Sequence, residues 1–187
     1  MKRVFGTMFF LLLSFIVSLQ AMSTVDGQLY QNEELGFKVV YPEAWTVFDD
    51  NPSDGLVCFR SPFLQKELDA GKIRRIANFV VRVLDSLEGV EDYTDGISME
   101  AWIDREISEQ RFSNKEPIDI GEKKGFSVEV GPFFSDGSED KIIWVENGDK
   151  IYEISILDTG NEIASVEEVS RFLNSFGFMR QDHPSIN

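Results

Sequence analysis

The chain is predicted to fold as an α+β protein built on antiparallel strands, and three observations carry that expectation. Phe37, Val39 and Tyr41 alternate with Lys38 and Val40, which at a side-chain period of two puts the first three on one face of a strand. Asn147-Gly148 separates the apolar runs Ile142 to Val145 and Ile151 to Ile156, the strongest short-range hairpin signal in the sequence. Met99, Trp102, Ile103 and Ile107 recur at helical spacing opposite Glu100, Asp104, Arg105 and Glu109, the pattern of an amphipathic helix covering a sheet.

The remaining elements follow in chain order. Gly36 opens the first clear strand, and Pro42, which has no N–H for a ladder, ends it. Trp45 then sits where its ring can fold back over the sheet. Asp49-Asp50-Asn51-Pro52-Ser53-Asp54-Gly55 is a turn cluster before a strand from Leu56 to Phe59. From Phe63 to Arg75, Leu64 and Leu68 stand at helical spacing with Gly71 as a stop, which predicts a short helix or an ordered loop. Ile76 to Leu84 is apolar at most positions on both faces, the mark of a central, covered strand. Ser98 caps a helix from about Met99 to Arg111. Ile118 to Ile120 and Phe126 to Val130 are strands joined by a turn through Lys123-Lys124-Gly125. Ser165-Val166-Glu167-Glu168 is a capping box opening a helix with Val166, Val169, Phe172, Leu173 and Phe176 on one side. Gly177 ends that helix, and a frayed tail is expected over 181–187.

Several of these segments resemble PsbP-like domains. Tyr30-Gln31-Asn32-Glu33-Glu34 followed by Leu35-Gly36-Phe37-Lys38-Val39-Val40-Tyr41-Pro42-Glu43-Ala44-Trp45 is similar to the opening of that family: Tyr, a short polar turn, Gly-Phe, alternating residues, Tyr-Pro and Trp. Phe59-Arg60-Ser61-Pro62, Ile151-Tyr152-Glu153-Ile154-Ser155 and Phe172-Leu173-Asn174-Ser175-Phe176-Gly177-Phe178 look like its third strand, late core strand and closing helix. The resemblance spans about Gln28 to Phe178. It implies a central antiparallel β-sheet flanked by helices on both faces, the α/β/α sandwich shared by the extrinsic PsbP subunit of photosystem II, a Ran-binding nuclear import factor and DcrB-like bacterial envelope proteins. Members are mostly binding or assembly proteins without a common active site, and fold does not carry function. Histidines linked to metal binding in plant PsbP have no counterpart, since the one histidine is His183, in the tail.

Composition bounds compartment and partners. Lys2-Arg3 precede an apolar run from Val4 to Leu19, with Ala21 at a plausible cleavage point, the layout of a secretory signal peptide over residues 1–21. The run is shorter than the ~20 residues of a bilayer-spanning helix. An uncleaved membrane anchor is the alternative, because Leu19 is an imperfect residue two places before Ala21. No cysteine lies there to carry a lipoprotein anchor. A linker over 22–27, one PsbP-like domain over 28–180 and the tail complete the expected organisation. The roughly 165 residues after the signal suffice for one domain burying ~70% of its unfolded surface. Without Lys2 and Arg3 the 18 basic side chains fall to 16 against 33 acidic, a net charge of −17. Such a surface repels nucleic acid and anionic lipid. The expected location is periplasmic or extracellular, and the expected partner another envelope or secreted protein.

Chemistry-bearing motifs are sparse. Cys58, the sole cysteine, cannot form an internal disulfide and reads as a small buried hydrophobe in a strand. His183 is badly placed for a hydrolytic triad, and no phosphate loop occurs. Asp136, Glu139 and Asp140 crowd into five residues and are the weak calcium candidates, although they lack the distal Glu and ligand spacing of a calcium loop. Asp49, Asp50 and Asp54 form a second such cluster. Among the sixteen phenylalanines, Phe63 after Pro62 and Phe133-Phe134 after Gly131-Pro132 fall outside strand or helix periodicity, and read either as loops capping the core or as a partner-binding patch. DcrB-like members include chaperones that hold hydrophobic segments, which the resemblance lends to the second reading. The sequence thus predicts a non-enzymatic binding, assembly or chaperone-like accessory without a cofactor. A carrier of calcium or a small ligand, and a hydrolase using dispersed carboxylates, are the alternatives.

Overall fold

Alternation in the Phe37 segment becomes burial: Phe37, Val39 and Tyr41 are buried while Lys38 is exposed. The computed structural model describes residues 27–48, 55–72, 77–85, 96–130, 140–157 and 165–179. The expected signal over 1–21, the expected linker apart from Gly27, the Asp49–Asp54 cluster and the expected tail over 181–187 lie outside them.

The elements are β1 (Gln28–Asn32), β2 (Phe37–Tyr41), β3 (Thr46–Phe48), β4 (Leu56–Arg60), α1 (Pro62–Asp69), β5 (Phe79–Leu84), α2 (Met99–Ser108), β6 (Phe112–Ile120), β7 (Lys123–Val130), β8 (Lys141–Asn147), β9 (Lys150–Ile156), α3 (Val166–Ser175) and β10 (Gly177–Phe178). Seven of the strands pair antiparallel in the order β3-β4-β5-β9-β8-β7-β6, and β1, β2 and β10 form a separate sheet in the order β1-β2-β10. The small second sheet is the feature the pattern reading missed.

Strand parity divides the interior. Ile143 and Val145 of β8 join Phe79, Val81, Tyr152 and Ile154, together with Phe37 and Val39 of the small sheet and Phe172 of α3, in the larger core. Trp144 of β8 joins Val128 and Ile151 with Met99, Trp102 and Ile103 of α2 in a second cluster, against which Ile142 packs. Successive β8 residues point to opposite faces, so the seven-stranded sheet separates the two clusters.

Local signals held at most boundaries. Gly36 (φ 75°) precedes β2, and the N–H of Trp45 donates to the Pro42 carbonyl at 3.0 Å, turning the buried indole onto Phe79, with ring centroids 5.3 Å apart. Ser61, Ser98 and Ser165 cap the three helices, the last with both halves of a capping box. The Phe63 segment is helical, with Leu64 buried, and Gly71 (φ 67°) follows its end.

Other boundaries moved. The helix expected to reach Arg111 stops at Ser108. Gln110 takes a left-handed φ of 62°, and the Arg111 N–H reaches back to the Glu106 carbonyl at 2.9 Å, a Schellman-type termination that sends the chain into β6 early. The β6–β7 turn is Gly121-Glu122 and not Lys123-Lys124-Gly125, since Ile120 already pairs with Lys123. Gly125 lies within β7, where an added Cβ would stand 2.4 Å from the Trp144 carbonyl oxygen. Asn147 pairs with Lys150, so the hairpin turn is Gly148-Asp149. The strand β5 is interior, between β4 and β9, but Val80, Arg82 and Leu84 are only half-buried, so its second face is not fully covered. Val166 is 83% exposed and not part of the apolar side of α3. Gly177, expected only to stop α3, begins β10.

Pairing of β10 with β2 covers only Gly177↔Lys38 and Phe178↔Phe37. Beyond it the Ser175 hydroxyl takes over: its Oγ accepts the Val40 N–H at 2.8 Å and lies 3.2 Å from the Val40 carbonyl oxygen. Ser175→Ala therefore leaves this N–H without its partner and is expected to destabilise the fold by ~1–3 kcal/mol, read as a lower midpoint at unchanged m in urea unfolding.

Candidate binding site

Three segments far apart in the chain meet at the turn end of the two sheets. Gly121, Glu122 and Lys123 of the β6–β7 turn, Asn147 beside the β8–β9 turn, and Gly177, Phe178 and Met179 line a cleft of about 550 Å³. That volume lies within the ~300–1,000 Å³ typical of ligand clefts. Its Met179 wall and the residues beside it are tied to the β1–β2 turn. The Met179 N–H donates to the Gly36 carbonyl at 2.8 Å, the Lys150 ammonium donates to the Glu34 carbonyl at 3.0 Å, and the Tyr152 hydroxyl lies 2.9 Å from the Leu35 carbonyl oxygen. Burial pushes the Tyr152 phenol above its ordinary pKa, with a hydrogen bond from Asn147 pulling it down and the Asp149 charge adding to the rise. The phenol is thus a neutral strut. The Phe178 ring packs edge-on to Tyr152 at 4.9 Å and to Phe176 at 5.4 Å. The cleft offers one ammonium, one carboxylate, a carboxamide and an apolar wall.

The carboxyls with raised pKa lie elsewhere. Glu106 on α2 is buried; Arg111 Nε donates to its Oε2 at 2.8 Å and an Arg105 nitrogen stands 3.5 Å from its Oε1. Desolvation pushes the carboxyl up, against the pull of both guanidinium groups. Its Oε1 and the indole N–H groups of Trp102 and Trp144 have no hydrogen-bond partner among the described residues, and those two rings meet edge to face at 5.0 Å. Glu153 on β9 is also buried, with Arg82 at 3.6 Å and the Ser155 hydroxyl at 3.4 Å. Register places it between Arg82 of β5 and Trp144 of β8, on the face that carries the second apolar cluster. Neither carboxyl lines the cleft. Each is an ion pair at the edge of a packed layer, a geometry that holds a carboxylate rather than presenting it to a substrate.

The residues singled out in the sequence are dispersed. Asp140 is half-buried, and its carbonyl accepts the Val130 N–H at 2.9 Å. Its companions Asp136 and Glu139, like Phe133 and Phe134, lie outside the described residues. Among the described residues no group of three or more His, Cys, Asp or Glu side chains is arranged to hold a metal. Phe63 is 43% exposed in the first turn of α1. Cys58 is buried, as expected. The cleft is not legible in the sequence, where Gly177 stands as a helix stop and Asn147 as part of a turn signal, and nothing in their spacing says that they face each other.

Neither a protein-family model nor a curated protein sequence matches the chain. Solved structures do. A crystallised protein from Bacteroides thetaiotaomicron VPI-5482 superposes with a TM-score of 0.50 at 15% identity, over 84% of this chain and 50% of that one. The solution structure of cyanobacterial PsbP (CyanoP) from Synechocystis sp. PCC 6803 matches with a TM-score of 0.50 at 17% identity, over 84% of this chain and 95% of that one. This chain therefore spans about half the Bacteroides protein and nearly all of the cyanobacterial one. The fold is PsbP-like.

Glu153 also makes stability depend on pH. Desolvation raises its carboxyl above the ordinary value of 4.5, with Arg82 and Ser155 opposing the rise. The native state then keeps this proton to higher pH than the unfolded chain does, so the contribution is complete below the unfolded pKa and is lost as pH rises through the native one. Gln mimics the protonated form at all pH values. The melting temperature of Glu153→Gln minus that of the unaltered protein is expected to rise from pH 4 to pH 7; a flat or falling difference would contradict the assignment.

Proposed function

We propose that this chain of PsbP-like fold is an exported, non-catalytic accessory that binds another envelope or secreted protein. The observation that carries the reading is the cleft at the turn end of the sheets. Its wall of Phe178 and Met179, with Lys123, Glu122 and Asn147 around it, offers contact and hydrogen bonding, whereas the carboxyls with raised pKa are engaged with arginines away from it. The basic pair Lys2-Arg3 ahead of an apolar run supports export. Among the described residues no helix is long and apolar enough to cross a membrane. In this reading the second apolar cluster under α2 and the larger core under α3 are the two helix-covered sides of an α/β/α sandwich.

The cleft volume favours a second reading, a small-ligand carrier, with calcium a ligand only if residues around Asp136, Glu139 and Asp140 converge. One experiment separates the two. The full chain, tagged at its C-terminus, is crosslinked in its native cells beside a Glu122→Lys/Lys123→Glu double variant, whose changes sit at an exposed turn and in the first residue of β7. A recurrent protein adduct that falls several-fold in the variant, with a mature N-terminus near Met22, is the expected outcome. No adduct above background, with a melting temperature raised by calcium or by a small-molecule extract, would replace the accessory by the carrier, because a ligand of the native state stabilises it.

A further inference from the structure

The two sheets have four edges, and three are blunted. The outer strand β6 has a register shift between Ser113 and Glu116 and carries Lys115, Glu116, Pro117 and Asp119, the devices that stop strands from adding to an edge. At the other side β3 has three residues, and β10 has two. Strand β1 differs: Gln28-Leu29-Tyr30-Gln31-Asn32 pairs in unbroken register with β2 and carries neither charge nor proline. Leu29 is 59% exposed there.

Which main-chain groups β1 leaves open follows from its partner. Val40 binds the Ser175 hydroxyl through its main chain, so its N–H points away from β1. Leu29 is its register partner. They form a non-hydrogen-bonded pair, in which both residues aim their N–H and C=O outward, and Gln31 opposite Lys38 does the same. The N–H and C=O of Leu29 and Gln31 are therefore the open groups, with no further main-chain partner among the described residues.

We infer that β1 pairs antiparallel with β1 of a second copy of this chain, about a two-fold axis through Tyr30. In that register Leu29 meets Gln31 of the other copy twice, each meeting exchanging two hydrogen bonds, so all the open groups are satisfied. Gln28 opposes Asn32, and the exposed Leu29 side chain lies beside a glutamine stem. Two copies repel at a distance, because each carries −15, but the paired strands bring no charge against charge, Glu33 falls opposite Gly27, and what fits a second copy is that this register returns the same two open residues, Leu29 and Gln31, to each other. The pairing joins two three-stranded sheets into one of six strands. A single pair of five-residue strands is small beside the ~1,200–2,000 Å² of stable interfaces, so the dimer is a weak one that grows with concentration.

Sedimentation velocity of the full chain over a wide concentration range tests the inference together with two sets of variants. Leu29→Pro deletes an outward N–H and no bond to β2, and Leu29→Lys places two like charges diagonally across the axis; each is expected to weaken association at least tenfold while retaining a cooperative melt. Should Leu29→Pro lose its melt, Leu29→Lys decides. Hydrogen-bonded partners stand ~5.5 Å apart between Cα atoms, within the ~4.4–6.8 Å span of a disulfide. A mixture of Leu29→Cys and Gln31→Cys proteins is thus expected to crosslink several-fold more than either alone, with Cys58 buried and silent. A chain that stays monomeric at every concentration, a mixture no better than its components, or a β1 that crosslinks only to a different protein would each overturn the pairing.

Discussion

The contact on which most of this structure depends is the aromatic stack between α3 and the sheets. Phe172 lies over Phe79 at 4.2 Å and meets Phe59 edge-on at 5.1 Å, while Phe176 stacks on Phe37 of the small sheet at 5.2 Å with the planes nearly parallel. One turn of helix thereby joins both sheets, since residues four apart share a helix face. Each ring removes a large apolar area from water and fixes an orientation as well as a distance. With Phe176 held, Gly177 and Phe178 can only run beside β2, and the Ser175 hydroxyl reaches Val40.

The cleft inherits its form from that stack. Its Phe178 wall comes two residues after the stack ends, and its opposite wall is a turn whose glycine, Gly121 (φ 57°), would bring a Cβ within 3.2 Å of the Phe176 carbonyl oxygen. Close approach of two backbones therefore closes one side of the cleft. Beside the cleft, Lys150 and Tyr152 bind carbonyls of the β1–β2 turn. The cleft presents the side chains of Glu122, Lys123 and Asn147 beside the Phe178 and Met179 wall. Glu106 and Glu153 each sit against an arginine that offsets part of the cost of desolvation.

How much was legible in the sequence depends on the range of the cause. Caps, alternation and turns are local: Ser98, Ser165 and Glu168 mark helix starts, and the residues around Asn147-Gly148 mark a hairpin, because the groups that satisfy one another lie within a few residues. Where the reading slipped, a longer contact had intervened. Lys123-Lys124-Gly125 has turn composition, yet Gly125 is a strand residue because the neighbouring Trp144 carbonyl leaves no room for a Cβ. Arg111 fits a helix by pattern, yet its side chain reaches the buried Glu106. Asn78 carries no local signal, yet its side chain accepts the Ser61 N–H at 2.6 Å and its main chain links Phe59 to Leu157.

By itself, then, the sequence determined the α+β class, the identity of nearly every element, the burial of Phe37, Val39, Tyr41, Trp45 and Cys58, and the strongly acidic balance that bounds its partners. Periodicity and capping are properties of neighbouring residues, so one strand of text carries them. Tertiary structure alone decided that β1, β2 and β10 part from the main sheet, that Gly121, Asn147 and Phe178 share a cleft, and that the open groups of β1 belong to Leu29 and Gln31. Each of these turns on which strand lies beside which and in what register, and register is set by the packing of distant side chains, Phe172 and Phe176 above all.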